Sequence, residues 1–145
     1  MPRRVLLPAF FVLYAIVQYG VVRAAAAGPD ASPGPPNASA VAGGRVFAEN
    51  CAGCHGANGA GQPGIFPPLA HNAVVTGNPR KVASIVWHGL QGRITVNGTV
   101  YDATMPTWGG TLTNQQIADV LTYVRSSWGN NAGPVTAAQV ASTHK

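Results

Sequence analysis

Residues 51–55, Cys51-Ala52-Gly53-Cys54-His55, decide how the rest of this 145-residue chain is read. Cys51 and Cys54 are its only cysteines, and a histidine follows the second directly. Two thiols at this spacing allow four chemistries. A disulfide between them would close so small a loop that it would constrain the unfolded chain little. A thioredoxin-like dithiol needs a strand–helix–strand setting, which the flanking sequence lacks. A zinc site needs further Cys or His ligands at suitable spacing, and His71 and His88 form no such pair. The fourth is the attachment of a c-type haem. Each thiol adds across one vinyl group, the two intervening residues match the separation of the vinyls, and His55 falls beneath the iron as an axial ligand. This reading accounts for all three residues, so one covalently bound haem c is expected.

An iron held by His55 has a second axial position. Apart from Met1 the only methionine is Met105, in the stretch Thr104-Met105-Pro106-Thr107-Trp108-Gly109-Gly110. A thioether is a soft donor that favours reduced iron. Pro106 and the Gly-Gly pair make a poor place for core filler and a good one for a rigid loop aimed at a cofactor. Met105 is therefore the candidate sixth ligand, with His71 and His88 as rivals.

The segments around these residues read mainly as helix. Ala38 to Asn50 leads into the cysteines, with Val41, Val46 and Phe47 on its apolar side. Gly43 and Gly44 each lower its helix propensity by roughly 1 kcal/mol relative to Ala, which is explicable if another helix crosses closely there. Asn78-Pro79 begins a second helix, with Asn as N-cap and Pro in the first helical position. Thr113 and Gln116 form a capping-box pattern, opening a helix expected to run to Trp128, with Ile117, Val120, Leu121 and Val124 as its stripe and Gly129 as its stop. Residues 93–101 (RITVNGTVY) alternate around Asn97-Gly98, a strong hairpin signal. The expected fold is mainly α, three to four helices around one haem, with a short β-hairpin insert near 93–101.

Composition sets the outer limits. Charged residues make up only 9% of the chain, against about 25% in ordinary soluble domains. From Gly28 onward there are six basic residues (Arg45, Arg80, Lys81, Arg93, Arg125, Lys145) and four acidic (Asp30, Glu49, Asp102, Asp119). No basic stripe is available to track a phosphate backbone, so nucleic acid is excluded as a partner. Arg3 and Arg4 precede an apolar run, Val5 to Val22, and Arg23 and four alanines follow it. Residues 1–27 thus read as a signal peptide or an N-terminal membrane anchor: Ala24-Ala25-Ala26 suits cleavage, and the run just reaches bilayer-spanning length. Either form places the domain in the periplasm or on the outer face of the cytoplasmic membrane. Residues 28–37 (GPDASPGPPN) read as a Pro/Gly-rich linker, 38–130 as the domain, and 131–145 as a flexible tail.

Taken in order, these marks resemble the mono-haem class I cytochrome c family over about residues 43–130. Gly44 and Phe47 match its Gly-x-x-aromatic pattern. CAGCH follows, then Pro67 and Leu69 in FPPLA match its Pro-x-Leu element. Met105-Pro106 precedes the last helix, which carries Tyr123 in YVRSSWGN. The resemblance implies that Gly44 lets the first helix cross the last, with Phe47 and Tyr123 at the junction. It implies that the Pro67 carbonyl accepts a hydrogen bond from the His55 ring and that Leu69 covers the haem. Tyr101 and Trp108 flank the methionine loop and are candidate donors to a haem propionate; Arg93 is a candidate ion-pair partner for one. The hairpin insert and the RSSWGN ending look most like cytochrome modules of bacterial periplasmic dehydrogenases and terminal oxidases.

With both axial positions filled, no substrate reaches the iron. The implied function is an electron carrier, not an enzyme, working between a dehydrogenase or respiratory donor and an oxidase-type acceptor, with a possible membrane tether. The alternatives are a haem-bearing subunit of a larger oxidoreductase and an open-site haem enzyme or sensor.

Overall fold

The computed structural model describes residues 36–144. The signal peptide or membrane anchor expected at residues 1–27 and most of the linker expected at 28–37 lie outside the described residues. Among the described residues no helix is long and apolar enough to cross a membrane.

Six helices and one hairpin make up the described chain: α1 Pro36–Asn50, α2 Ala52–His55, α3 Ala73–Thr76, α4 Pro79–His88, β1 Ile94–Val96, β2 Thr99–Tyr101, α5 Asn114–Arg125 and α6 Ala137–Ala141. The class is the expected one. Three helices are long; α2, α3 and α6 are single turns that the pattern did not announce. Helix α1 begins at Pro36, so the last two residues assigned to the linker are helical, with a proline tolerated in the first turn.

Local chemistry explains most of the boundaries. The Asn78 side chain accepts from the Arg80 and Lys81 N–H groups and caps α4. Thr113 and Gln116 form the full reciprocal capping box of α5. Ile94 pairs with Tyr101 and Val96 with Thr99 in the antiparallel hairpin, whose turn residues Asn97 and Gly98 take φ of 50° and 81°, as the tight turn requires. Helix α5 stops at Arg125, three residues before the expected end. The Ser126 and Ser127 hydroxyls donate to the Thr122 and Tyr123 carbonyls, and these side-chain bonds take the place of further helical turns. Trp128 then adopts φ 52°.

The core lies where α1 crosses α5. Gly43, Val46 and Phe47 face inward, whereas Val41, expected on the apolar side, is 62% exposed. Ile117, Val120, Leu121 and Val124 are all buried, as the stripe required. The closest approach falls at Gly43 and not at Gly44: a Cβ there would lie 2.0 Å from the Asp119 carbonyl oxygen, while one on Gly44 would sit 3.4 Å from the Tyr123 ring. Beside the crossing, Phe47 packs against Tyr123 (ring centroids 5.6 Å apart) and Trp128 (4.9 Å).

The expectation of a flexible tail at 131–145 is corrected over residues 131–144, which pack onto the domain. Val135 and Val140 are buried in the main core. The Thr122 hydroxyl accepts from the Val135 N–H at 3.1 Å and lies 3.3 Å from its carbonyl. Arg125 donates to the carbonyls of Gly133, Val75 and Gly77, tying this segment and the α3–α4 loop to α5. Composition concealed this packing because two valines among small polar residues carry little periodic signal. Deleting the Val140 side chain to Ala removes two buried methyl groups. It should lower stability by about 2 kcal/mol, from roughly 0.8 kcal/mol per buried group plus the cavity left behind. A denaturant midpoint unchanged in Val140→Ala would return the segment to the status of a tail.

Candidate functional site

A cavity of about 410 Å³ opens between α1, α4, α5 and the loops that join them, and a smaller one of about 80 Å³ adjoins it. Phe47, Leu69, Val75, Val86, Leu121 and Val124 are among the walls of the larger. Cys51 and His55 line both cavities, and Cys54 lines the smaller. The cysteine motif is thus built onto the cavity by local means. Helix α1 ends at Asn50, and the Cys51 carbonyl accepts from both the Cys54 and the His55 N–H at the start of α2.

The His55 ring is oriented by the loop that follows. Its Nδ1 lies 3.0 Å from the Pro67 carbonyl oxygen. A carbonyl can only accept, so Nδ1 carries the proton and Nε2 keeps its lone pair free. Burial pushes the imidazole below its ordinary pKa, with the Pro67 bond acting in the opposite direction; the lone pair is accordingly available at neutral pH. Burial, and secondarily the neighbouring Cys54, push the Cys51 thiol up to about 11. Leu69, which lines the larger cavity with His55, is held by its own N–H to the Gly59 carbonyl at 2.8 Å and by Asn130, whose side-chain amide donates to the Leu69 carbonyl at 2.9 Å.

Met105, fifty residues after His55 in the sequence, lines both cavities. Its backbone exchanges two hydrogen bonds with Leu90, at 2.8 and 3.1 Å. The Trp108 and Gly109 N–H groups then reach the Val86 and Trp87 carbonyls, and the Thr107 hydroxyl also reaches Trp87. These are the carbonyls that the last turn of α4 leaves unpaired, so the methionine loop serves as that helix's C-terminal cap. Gly89 makes the approach feasible: it has φ 75°, and a Cβ there would lie 2.6 Å from the Met105 oxygen.

The remaining expected residues divide. Trp108 lines both cavities, and Tyr101 lines the smaller, beside Cys54. Arg93 sits 3.8 Å from Asp102 in an exposed ion pair and lines neither cavity. His71 and His88, the rivals of Met105, line neither; the His71 ring lies against Gly129, and His88 Nε2 bonds the Thr143 carbonyl at 2.9 Å. Sequence reasoning missed Trp128, which completes the aromatic cluster, and Asn130, which secures Leu69. Both stand in the RSSWGN ending, where only position in the fold shows what they touch.

Two adjoining apolar cavities that share a neutral imidazole, a backbone-pinned thioether and one free thiol, with a second thiol on the smaller, fit a flat apolar ring attached through sulfur and holding a metal. A helical domain of this design is a carrier of covalently bound haem. Comparison with known proteins agrees: residues 40–128 match the family model described as cytochrome c, and the chain belongs to the cytochrome c family. As a member it carries haem c, the group through which this family transfers electrons. It is 42% identical over 107 residues to the cytochrome c subunit of the quinone alcohol dehydrogenase of Gluconacetobacter polyoxogenes, covering 72% of this chain and 22% of that protein. It is 39% identical over 92 residues to cytochrome c-552 of Thermus thermophilus, covering 61% of this chain and 69% of the relative. The cytochrome c subunit of gluconate 2-dehydrogenase from Pantoea cypripedii is 38% identical over 108 residues, covering 71% and 24%. The chain therefore spans about a fifth to a quarter of the length of the dehydrogenase subunits that it matches.

Proposed function

We propose that Cys51 and Cys54 are the two thioether anchors of the haem, that His55 and Met105 are its axial ligands, and that the protein shuttles single electrons from a dehydrogenase to an oxidase-type acceptor. The observation that carries this reading is the lining of one cavity by His55 and Met105, each oriented from behind: the imidazole by the Pro67 carbonyl and the methionine backbone by Leu90. The bound group supplies a one-electron Fe(III)/Fe(II) couple. The protein's residues keep water from it, fix the donor atoms and hold them in place through the redox change, so that little reorganises. Leu69, Tyr101 and Trp108 act as walls of the haem site.

The names of the dehydrogenase subunits support a dehydrogenase as donor; the match to a subunit of a cbb3-type oxidase supports an oxidase as acceptor. The same names favour one second reading, a permanent subunit of a dehydrogenase complex. Export by residues 1–27, as a cleaved signal or a retained tether, places the domain in the periplasm or at the outer face of the membrane.

Two measurements test the site. Intact mass should exceed the polypeptide mass by one haem, and the N-terminus found in the same spectrum separates cleavage from tethering. The reduced wild type should bind carbon monoxide negligibly on the mixing timescale, whereas Met105→Ala should bind it rapidly. Rapid binding by the wild type would eliminate the closed, two-ligand site. Gly89→Ala should give a partial form of the Met105→Ala result, because its Cβ displaces the loop. Recovery of the protein as a lone monomer without detergent would count against the subunit reading.

A further inference from the structure

We infer that Lys81 pairs with a haem propionate at the end of the cavity remote from Cys51 and Cys54, and that this pairing raises the reduction potential. The inference rests on the haem placement proposed above.

The two cavities define the direction. Cys54 lines only the smaller, whereas Lys81 lines only the larger. Leu90, just beyond the end of α4, lines both cavities, which puts that end of the helix at the cysteine side. Lys81 lies in the first turn of α4, and from there to His88 the helix advances about 10 Å at 1.5 Å per residue, comparable to the width of a porphyrin. The vinyl groups occupy the opposite half of the ring from the propionates. Anchoring the vinyl half at Cys51 and Cys54 therefore sends the carboxylates toward the Lys81 end.

An ionised carboxylate beside apolar walls requires a partner. Among the described residues Lys81 is the only charged side chain lining either cavity. The Thr95 hydroxyl and the Trp108 indole N–H also line the larger cavity but are neutral donors, and the remaining polar groups are engaged or placed elsewhere. Asn72 accepts from the Val74 and Val75 N–H groups and donates to the Pro68 carbonyl. Arg93 faces Asp102, and Tyr101 lies in the cavity that holds Cys54. Among the described residues Lys81 forms no salt bridge, and its flexible four-carbon stem suits a point charge that must reach a carboxylate at the cavity mouth. A cation held there disfavours the more positive Fe(III) state, so its removal should lower the potential.

The test is a redox titration of the haem-loaded protein at low ionic strength, comparing Lys81→Ala, Lys81→Arg and Arg80→Ala. Arg80 is the adjacent exposed residue, of the same charge and on the same helix, and lines neither cavity. Lys81→Ala should shift the Fe(III)/Fe(II) ratio at a fixed applied potential about threefold toward Fe(III), roughly 30 mV at 59 mV per tenfold for one electron. Lys81→Arg should restore most of that shift, and Arg80→Ala should produce less than half of it. Equal shifts in Lys81→Ala and Arg80→Ala, in proteins whose covalent haem and carbon monoxide behaviour match the wild type, would overturn the pairing and leave the proposed function standing. A wild-type chain without covalent haem would overturn both.

Discussion

The double variant Cys51→Ala/Cys54→Ala should fail to fold, and far-UV circular dichroism should show no cooperative thermal transition. Without the two thiols the proposed haem is no longer covalently held, and the haem-free domain is left with a cavity of about 410 Å³. At the roughly 24 cal/mol per Å³ found for unfilled cavities, that amounts to about 10 kcal/mol. The whole stability of a domain this size is about 5–15 kcal/mol. Water entry and partial collapse reduce the penalty, but even half of it is about a third or more of that margin. The domain has little else to draw on: among the described residues the one salt bridge is the exposed Arg93–Asp102 pair, and exposed pairs contribute about 1 kcal/mol or less. Single Cys→Ala variants should retain one thioether and fold with reduced stability. A two-state melt of the haem-free double variant would show that the polypeptide core alone suffices.

Gly43→Ala should destabilise the haem-loaded protein by about 3 kcal/mol or more, read as a lower guanidinium midpoint with an unchanged slope. The sign is informative, because helix propensity alone favours Ala over Gly by about 1 kcal/mol. The opposing effect is steric. The new Cβ would lie 2.0 Å from the Asp119 oxygen and 2.9 Å from the Tyr123 Cβ, and a backbone carbonyl inside a helix has nowhere to rotate. Helix α1 would have to lift from α5. Because α1 runs directly into Cys51, that movement would carry the haem anchors away from the wall formed by Val120, Leu121 and Val124. Gly44→Ala is the control: its nearest neighbour would be a ring carbon at 3.4 Å, so the change should stay within about 1 kcal/mol. Equal effects at the two positions would remove the argument from close approach.

The contrast between these glycines shows how far reading the chain could go. The family pattern aligned Gly44 with the crossing, and the pair Gly43-Gly44 announced that a helix passes nearby. Which of the two touches the other backbone depends on the rotation of α1 about its axis. One residue turns a helix by about 100°, so neighbouring glycines face different surroundings. The same rotation left Val41 exposed. The α5 stripe was easier to read because four bulky residues at three- and four-residue spacing leave one solution, whereas its C-terminal end depended on serine side chains competing for carbonyls.

By itself the sequence determined the chemistry that is local in the chain. Five consecutive residues specify two thiols and an imidazole in one short turn, and the Asn97-Gly98 dipeptide, the Asn78 cap and the Thr113–Gln116 box specify their turns and helix starts, because each is satisfied by neighbours within a few residues. Tertiary structure alone decided what lies across the cavity. It brought Met105 to the wall that His55 shares by using its loop to satisfy the end of α4, set Pro67 behind the His55 ring, put Lys81 on the lining of the larger cavity, and drew residues 131–144 into the core. Those relations join positions from twelve to more than fifty residues apart, and a sequence pattern carries no distance between residues that meet only when the core closes.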